Sequence, residues 1–165
     1  MADIANSKLL KDFKGIGQLA NALVVLVKTE WNSEVVDELE RGCLNIFEQY
    51  GITTRTMIVP GAVEIPFAIQ QCWACNNTPA AFIALGCIIR GGTPHFEYVC
   101  QSVTQGITSL NLLMQVPVIF GILTVDTMEQ ARERIGGIHG HKGEEAAVTA
   151  IKMITLNQQL KEGGI

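Results

Sequence analysis

Residues 22–29, ALVVLVKT, place six apolar side chains in succession before the first charge. A strand sends alternate side chains to opposite faces, so a run without alternation has to be covered on both. That requirement selects a parallel sheet with helices on either side over a sheet with one face in water.

The remaining segments supply the partners. WNSEVVDELERGCLNIFEQYG carries apolar residues at helical spacing, with Asn32 or Ser33 as N-cap and Gly51 as the stop. ITTRTMIV (52–59) is β-branched and runs into a turn and helix, PGAVEIPFAIQQCWACNN. AAFIALGCII and VPVIFGILT (116–124) read as the third and fourth strands, separated by the helix TPHFEYVCQSVTQGITSLNLLMQ. Thr127 to Gln130 reads as a capping box that opens TMEQARERI. GGIHGHKG breaks that helix, and EEAAVTAIKMITLNQQL forms the last one. The expected fold is therefore α/β: a single-domain three-layer sandwich, with helices on both faces of a four-stranded parallel sheet. In such sheets ligands bind beyond the carboxyl ends of the strands. This places a site at Trp31–Asn32, Pro60–Glu64, Cys87–His95 and the stretch after Phe120.

With 165 residues and no linker or repeat, one domain spanning 1–165 is expected. Only 17% of residues are charged, against roughly 25% in an ordinary soluble domain. Such a shortage implies a surface covered by further copies, a homo-oligomer. The net charge of −4, with scattered lysine and arginine, gives no footprint for nucleic acid. No apolar run approaches the roughly 20 residues of a membrane helix. MADIANSKLLKD has no secretory pattern, and five irregularly spaced cysteines suit free thiols in a reducing cytoplasm.

The segment RGGTPHFEYV (90–99) is the densest in chemistry. Thr93 suits an N-cap and Pro94 the first helical position, so His95 falls in the first turn. Gly91 and Gly92 let the backbone approach a ligand, and the free N–H groups of a helix start attract an anion. An imidazole beside that anion can act as base or proton relay near neutral pH. Taken alone, Glu64 is more simply a helix-start carboxylate, and Arg134 a solvated arginine at a helix C-terminus. Trp31 can stack on a planar heterocycle or pack in a core. Cys72 and Cys75 imitate a redox pair, but at the wrong end of a helix for a stabilised thiolate. His139 and His141 lack a third partner for zinc, so no metal is expected.

VPGAVEIP, ALGCIIRGGTPHFEYV, PVIFGILTVDTMEQARER and HKGEEAA, in this order and spacing, closely resemble the lumazine synthase family. The resemblance implies condensation of 5-amino-6-(D-ribitylamino)uracil with 3,4-dihydroxy-2-butanone 4-phosphate, releasing phosphate and water, with no cofactor. It implies a flavodoxin-like strand order and an N-terminal arm over residues 1–20 packing on a neighbouring subunit. It also implies pentamers, or multiples of pentamers up to an icosahedral capsid, with sites at subunit interfaces and riboflavin synthase as a candidate partner. Residue by residue, Trp31 matches the aromatic that stacks on the pyrimidine. Ala62, Val63 and Glu64 match the segment holding the ribityl chain and ring, and Cys87, Ile88 and Ile89 a second wall. Gly92 and Thr93 match the phosphate loop, Arg134 the phosphate-binding arginine and His95 the proton donor. Phe120 matches an aromatic from the neighbouring subunit, while Lys142 and Glu145 sit at positions lining the site. Tryptophan at 31, valine at 63, isoleucine at 135 and histidine at 141 depart from the family's usual residues. Trp31, Val63 and His141 motivate an alternative, a low-activity paralogue serving as a shell or flavin-binding protein.

Overall fold

The computed structural model describes Leu19, residues 21–76 and residues 78–163. The N-terminal arm expected over residues 1–20 lies outside these, Leu19 excepted. Strands β1 (Leu23–Thr29), β2 (Thr53–Val59), β3 (Ala81–Ile89) and β4 (Val118–Val125) form a parallel sheet in the order β2-β1-β3-β4. This is the expected flavodoxin-like order.

The unalternated run explains itself in the packing. Val24 and Leu26 of β1 join a cluster with Val36, Leu39 and Phe47 of α1 (Ser33–Gln49) and Ala147 and Ile151 of α5 (Lys142–Lys161). Val25 and Val27 point the other way, into a second cluster with Ile65 and Ile69 of α2 (Ile65–Cys75) and Val103 and Ile107 of α3 (His95–Leu113). Each such fully buried aliphatic side chain contributes roughly 1.5–3 kcal/mol. The chain steps from β1 to β2 over one face, then returns through β3 to β4 over the other, as crossovers of one hand require. The direction of winding reverses between β1 and β3, and that switch point positions the site.

On the α1/α5 face the two helices touch backbone to backbone. A Cβ on Gly143 would lie 2.1 Å from the Leu39 carbonyl oxygen, so only glycine fits there. The Cys43 thiol donates to the Gly143 carbonyl at 3.1 Å across the same contact.

Three local expectations need correction. The helix expected over 127–135 ends early: α4 spans only Met128–Arg132, and a small antiparallel hairpin follows, β5 (Ile135–Gly137) and β6 (Gly140–His141). Gly136 and Gly140, with φ of 115° and 76°, provide backbone that a helix cannot. The Thr127 hydroxyl does accept from the Gln130 N–H at 3.2 Å, but the returning Gln130 side chain takes the Asp126 N–H instead of the cap's own. Finally, α3 begins at His95, one residue later than a Thr93 cap implies, with Pro94 in the flanking position.

Candidate active site

The carboxyl ends of β1, β2 and β3 enclose a cleft of ≈ 540 Å³. Trp31 stands on one side, Ala62, Val63 and Glu64 form a 3-10 turn on another, and Cys87, Ile88 and Ile89 close the third. His95 and Val99, on the first turns of α3, complete the lining. Eight residues singled out in the sequence therefore converge: Trp31, Ala62, Val63, Glu64, Cys87, Ile88, Ile89 and His95.

The walls are set by local chemistry. Gly61 separates Trp31 from Glu64: a Cβ there would lie 3.0 Å from Glu64 Oε2 and 3.5 Å from Trp31 Cδ1. The Thr29 hydroxyl donates to the Trp31 carbonyl at 3.1 Å, and the Asn32 amide donates to the Cys87 carbonyl at 2.8 Å. Burial pushes the Cys87 thiol up to about 11, so it stays protonated and apolar at neutral pH. The Trp31 indole remains 74% exposed, a flat apolar face with nothing from the rest of the described chain covering most of it.

Beside this cleft, the turn that opens α3 lines a shallower pocket of ≈ 390 Å³ with Arg90, Gly91, Gly92, Thr93, Pro94 and Glu97. The Thr93 hydroxyl accepts from the His95 N–H at 3.4 Å. A Cβ at Gly91 or Gly92 would meet no described heavy atom within 4 Å. Crowding within the chain does not demand these glycines; open space lies in front of them. Arg90 is engaged elsewhere: it pairs with Asp126 at 2.6 Å and with Glu97, and its guanidinium lies 4.1 Å above the Phe96 ring. The Arg90 hydrogen bond holds the Glu97 carboxyl below its usual range. This network escaped the sequence reading because it joins three segments through charges that look solvated in isolation.

The other expected site residues lie apart. Phe120, 41% exposed, faces outward from the edge strand β4. Together with Lys142, Glu145 and Thr149 it lines a separate cavity of ≈ 540 Å³ between β4 and α5. The Lys142 ammonium is held by Glu145 at 2.7 Å. Arg134 lines none of these three spaces. Its Nη1 donates to the Gln130 carbonyl at 2.6 Å, closing the end of α4, while its buried Nε has no partner among the described residues. It is folded in against the chain, not solvated as expected from sequence: its side chain is only 14% exposed. The decoys resolve simply. Cys72 and Cys75 end α2 as free thiols, and His139 and His141 approach Glu133 and Glu38 respectively.

Fold and cleft together define a parallel α/β protein with a cleft of small-molecule size at a topological switch point and a glycine-rich helix start alongside. Residues 21–158 match the 6,7-dimethyl-8-ribityllumazine synthase family, and the chain belongs to it. A 6,7-dimethyl-8-ribityllumazine synthase of Parabacteroides distasonis is 43% identical over 88% of this chain and 92% of its own length. One from Porphyromonas gingivalis is 43% identical over 89% and 92%. Another, from Protochlamydia amoebophila, is 44% identical over 92% and 89%. No helix among the described residues is long and apolar enough to cross a membrane.

Proposed function

We propose that this enzyme carries out the family's condensation of 5-amino-6-(D-ribitylamino)uracil with 3,4-dihydroxy-2-butanone 4-phosphate at the β1–β3 cleft. The observation that carries the proposal is the placement of His95: it lines the cleft, and it follows directly on the Gly91–Pro94 turn that lines the adjoining pocket. A planar ring stacked on Trp31 and a phosphate at the turn would thus have an imidazole between them. Ala62, Val63 and Glu64 hold the ribityl chain, Cys87, Ile88 and Ile89 flank the ring, and Gly92 and Thr93 receive the phosphate.

The chemistry needs proton transfers at every stage. The substrate amine attacks the ketone, forming a carbinolamine whose loss of water gives a Schiff base. Elimination of phosphate and ring closure with loss of a second water complete the lumazine. His95 takes and returns protons at the nitrogen and oxygen atoms involved, a role that contributes roughly 10²–10⁴-fold. Phosphate leaves as a stable anion, so the remaining acceleration comes from holding two substrates together, and no cofactor or metal takes part.

Phe120, Arg134 and Lys142 enter the site from a second copy, which presents its β4 edge to the first. An apolar exterior on α2, the end of α3 and the hairpin supports association with further copies: Phe67, Leu112, Leu113 and Ile138 are 67%, 82%, 81% and 79% exposed. The assembly we propose is a pentamer or a multiple of pentamers, cytoplasmic. The test is direct: purified protein with both substrates, with and without chelator, followed by lumazine absorbance and phosphate release. Equal amounts of lumazine and phosphate, insensitive to chelator, are expected. Tight retention of lumazine without turnover would replace this reading with that of a binding protein.

A further inference from the structure

We propose that Asn32 is a positioning residue that aims Trp31 by clamping the end of β1 to the end of β3. This rests on the functional reading above, in which Trp31 stacks on the pyrimidine.

Asn32 is the only non-glycine residue with positive φ among those described, at φ 56° and ψ 42°. Asparagine tolerates this left-handed conformation better than most residues, yet it still costs more there than glycine. Asparagine is also a preferred N-cap, but this side chain makes no cap bond to α1. The start of α1 is held by the Asn32 carbonyl instead, which accepts from the N–H groups of Val35 and Val36 at 3.0 and 3.1 Å. The side chain is thereby released to reach the Cys87 carbonyl, 55 residues away, at 2.8 Å. A carbonyl can only accept, so the amide NH₂ is the group that faces it.

The register shows what this bond replaces. Pairing of β1 with β3 ends at Lys28 opposite Leu85, so the Cys87 carbonyl lies beyond the last rung on that side. The Asn32 amide extends the connection past the point where the backbones separate and the cleft opens. Cys87 belongs to one wall and Trp31 to the other, and a single side chain ties them together. The remaining Trp31 anchors are backbone-directed too: Thr29 donates to its carbonyl, and the preceding Glu30 N–H donates to Val59 at 2.9 Å. Because the indole is 74% exposed, packing does little to fix its direction. Its aim is inherited from a main chain pinned at Glu30, Trp31 and Asn32.

Two variants of the full assembled protein separate aiming from folding. Asn32→Gly keeps the left-handed backbone at no steric cost and deletes the clamp. Asn32→Asp keeps the shape but sets a carboxylate against the carbonyl with no proton to donate. For both, KM for the pyrimidine substrate is expected to rise about 10-fold while kcat and KM for the butanone phosphate stay within about two-fold, since preorganisation is lost on one side only. Binding of the product lumazine, followed by fluorescence without turnover, is expected to weaken by the same factor. In a Trp73→Phe background, where emission comes from Trp31, anisotropy in the unliganded protein is expected to fall in Asn32→Gly. That last reading concerns the clamp alone, so it holds whichever ligand the cleft takes. Unchanged anisotropy, or a loss spread equally over both substrates with a lowered melting midpoint, would overturn the proposal.

Discussion

The cleft at the strand ends and the cavity along the β4 edge are of equal size, but only one is finished. Around the cleft, two of the three walls are pinned from within the chain, by Thr29 on Trp31 and by Asn32 on Cys87. Along the edge, the groups proposed to serve the site are parked: Lys142 rests on Glu145, Arg134 turns back on a helix carbonyl with its Nε unpartnered among the described residues, and Phe120 is 41% exposed. Topology accounts for the difference. β1 and β3 are central strands whose ends meet at the switch point, whereas β4 is an outer strand with no neighbour on its far side among the described residues. Residues on β4 and in the segment after it are encoded in the same chain as the cleft, but the sheet order separates them from it. In the assembly proposed above, a second copy would bring Arg134 to His95, and the symmetry of a closed ring would provide one per site.

The sharpest way to break this comparison is to mix subunits. His95→Ala alone is expected to lower kcat by ~10²–10⁴-fold with inorganic phosphate inhibition nearly intact. Arg134→Ala alone is expected to raise KM for the phosphorylated substrate, since a guanidinium grips phosphate through paired hydrogen bonds. If the two residues serve one site from different chains, dissociating and co-assembling the two variants creates some sites with both groups intact. Random mixing at equal amounts restores about a quarter of wild-type sites. A mixture as inactive as its components would place both groups in the same chain and end the division drawn here.

How much of this division was legible beforehand depends on which side of it one looks. The unalternated ALVVLVKT run and the spacing of the segments after it gave the parallel sheet, and the strand-end rule then gathered eight of the site residues. Those inferences succeed because they use periodicity and chain order, which a sequence states openly. The hairpin at 135–141 was missed because Arg132 to Ile135 continues a helical pattern. What overrides the pattern is the pair of positive-φ glycines, Gly136 and Gly140. Asn32 was legible as the N-cap and holds that position, but its side chain makes no cap bond and reaches the Cys87 carbonyl instead. Its partner, Cys87, is set by the spatial neighbour relation of β1 and β3, which no local window contains. Arg134 on its own reads as solvated because no local window shows its guanidinium folding back over the Gln130 carbonyl four residues earlier.

A smaller effect sharpens the contrast from the finished side. The Cys87 thiol is buried in the wall and pushed up to about 11, while Cys75 is exposed at the end of α2. Burial both shields the Cys87 thiol and keeps it protonated at pH 7, so iodoacetamide should modify Cys75 well before it. Mass spectrometry of peptides over time checks the order, and Cys87 labelling should accelerate steeply above pH 9. Early Cys87 labelling at neutral pH would mean that the cleft opens and that its walls are not fixed as described.

The smallest expected effect lies at the boundary between the two regions, where Arg90 faces both Glu97 and Asp126 beside the glycine-rich turn. One guanidinium against two carboxylates leaves an excess of negative charge next to the proposed phosphate position. Glu97→Gln removes that excess without altering shape. It is expected to tighten inhibition by inorganic phosphate about two-fold at low salt and to make no difference near ~1 M salt, because exposed charges are screened. The same pair sets a sign for acid stability. Glu97 has its carboxyl lowered from the usual 4.5, chiefly by the Arg90 hydrogen bond. Its contribution is therefore complete above the unfolded value and disappears as pH falls through the lowered folded one. Melting midpoints of the wild type should decline more steeply than those of Glu97→Gln from about pH 4.5 downward. Parallel acid profiles, with no salt-dependent change in phosphate inhibition, would show that the turn ignores Glu97 and that other groups set its affinity for phosphate.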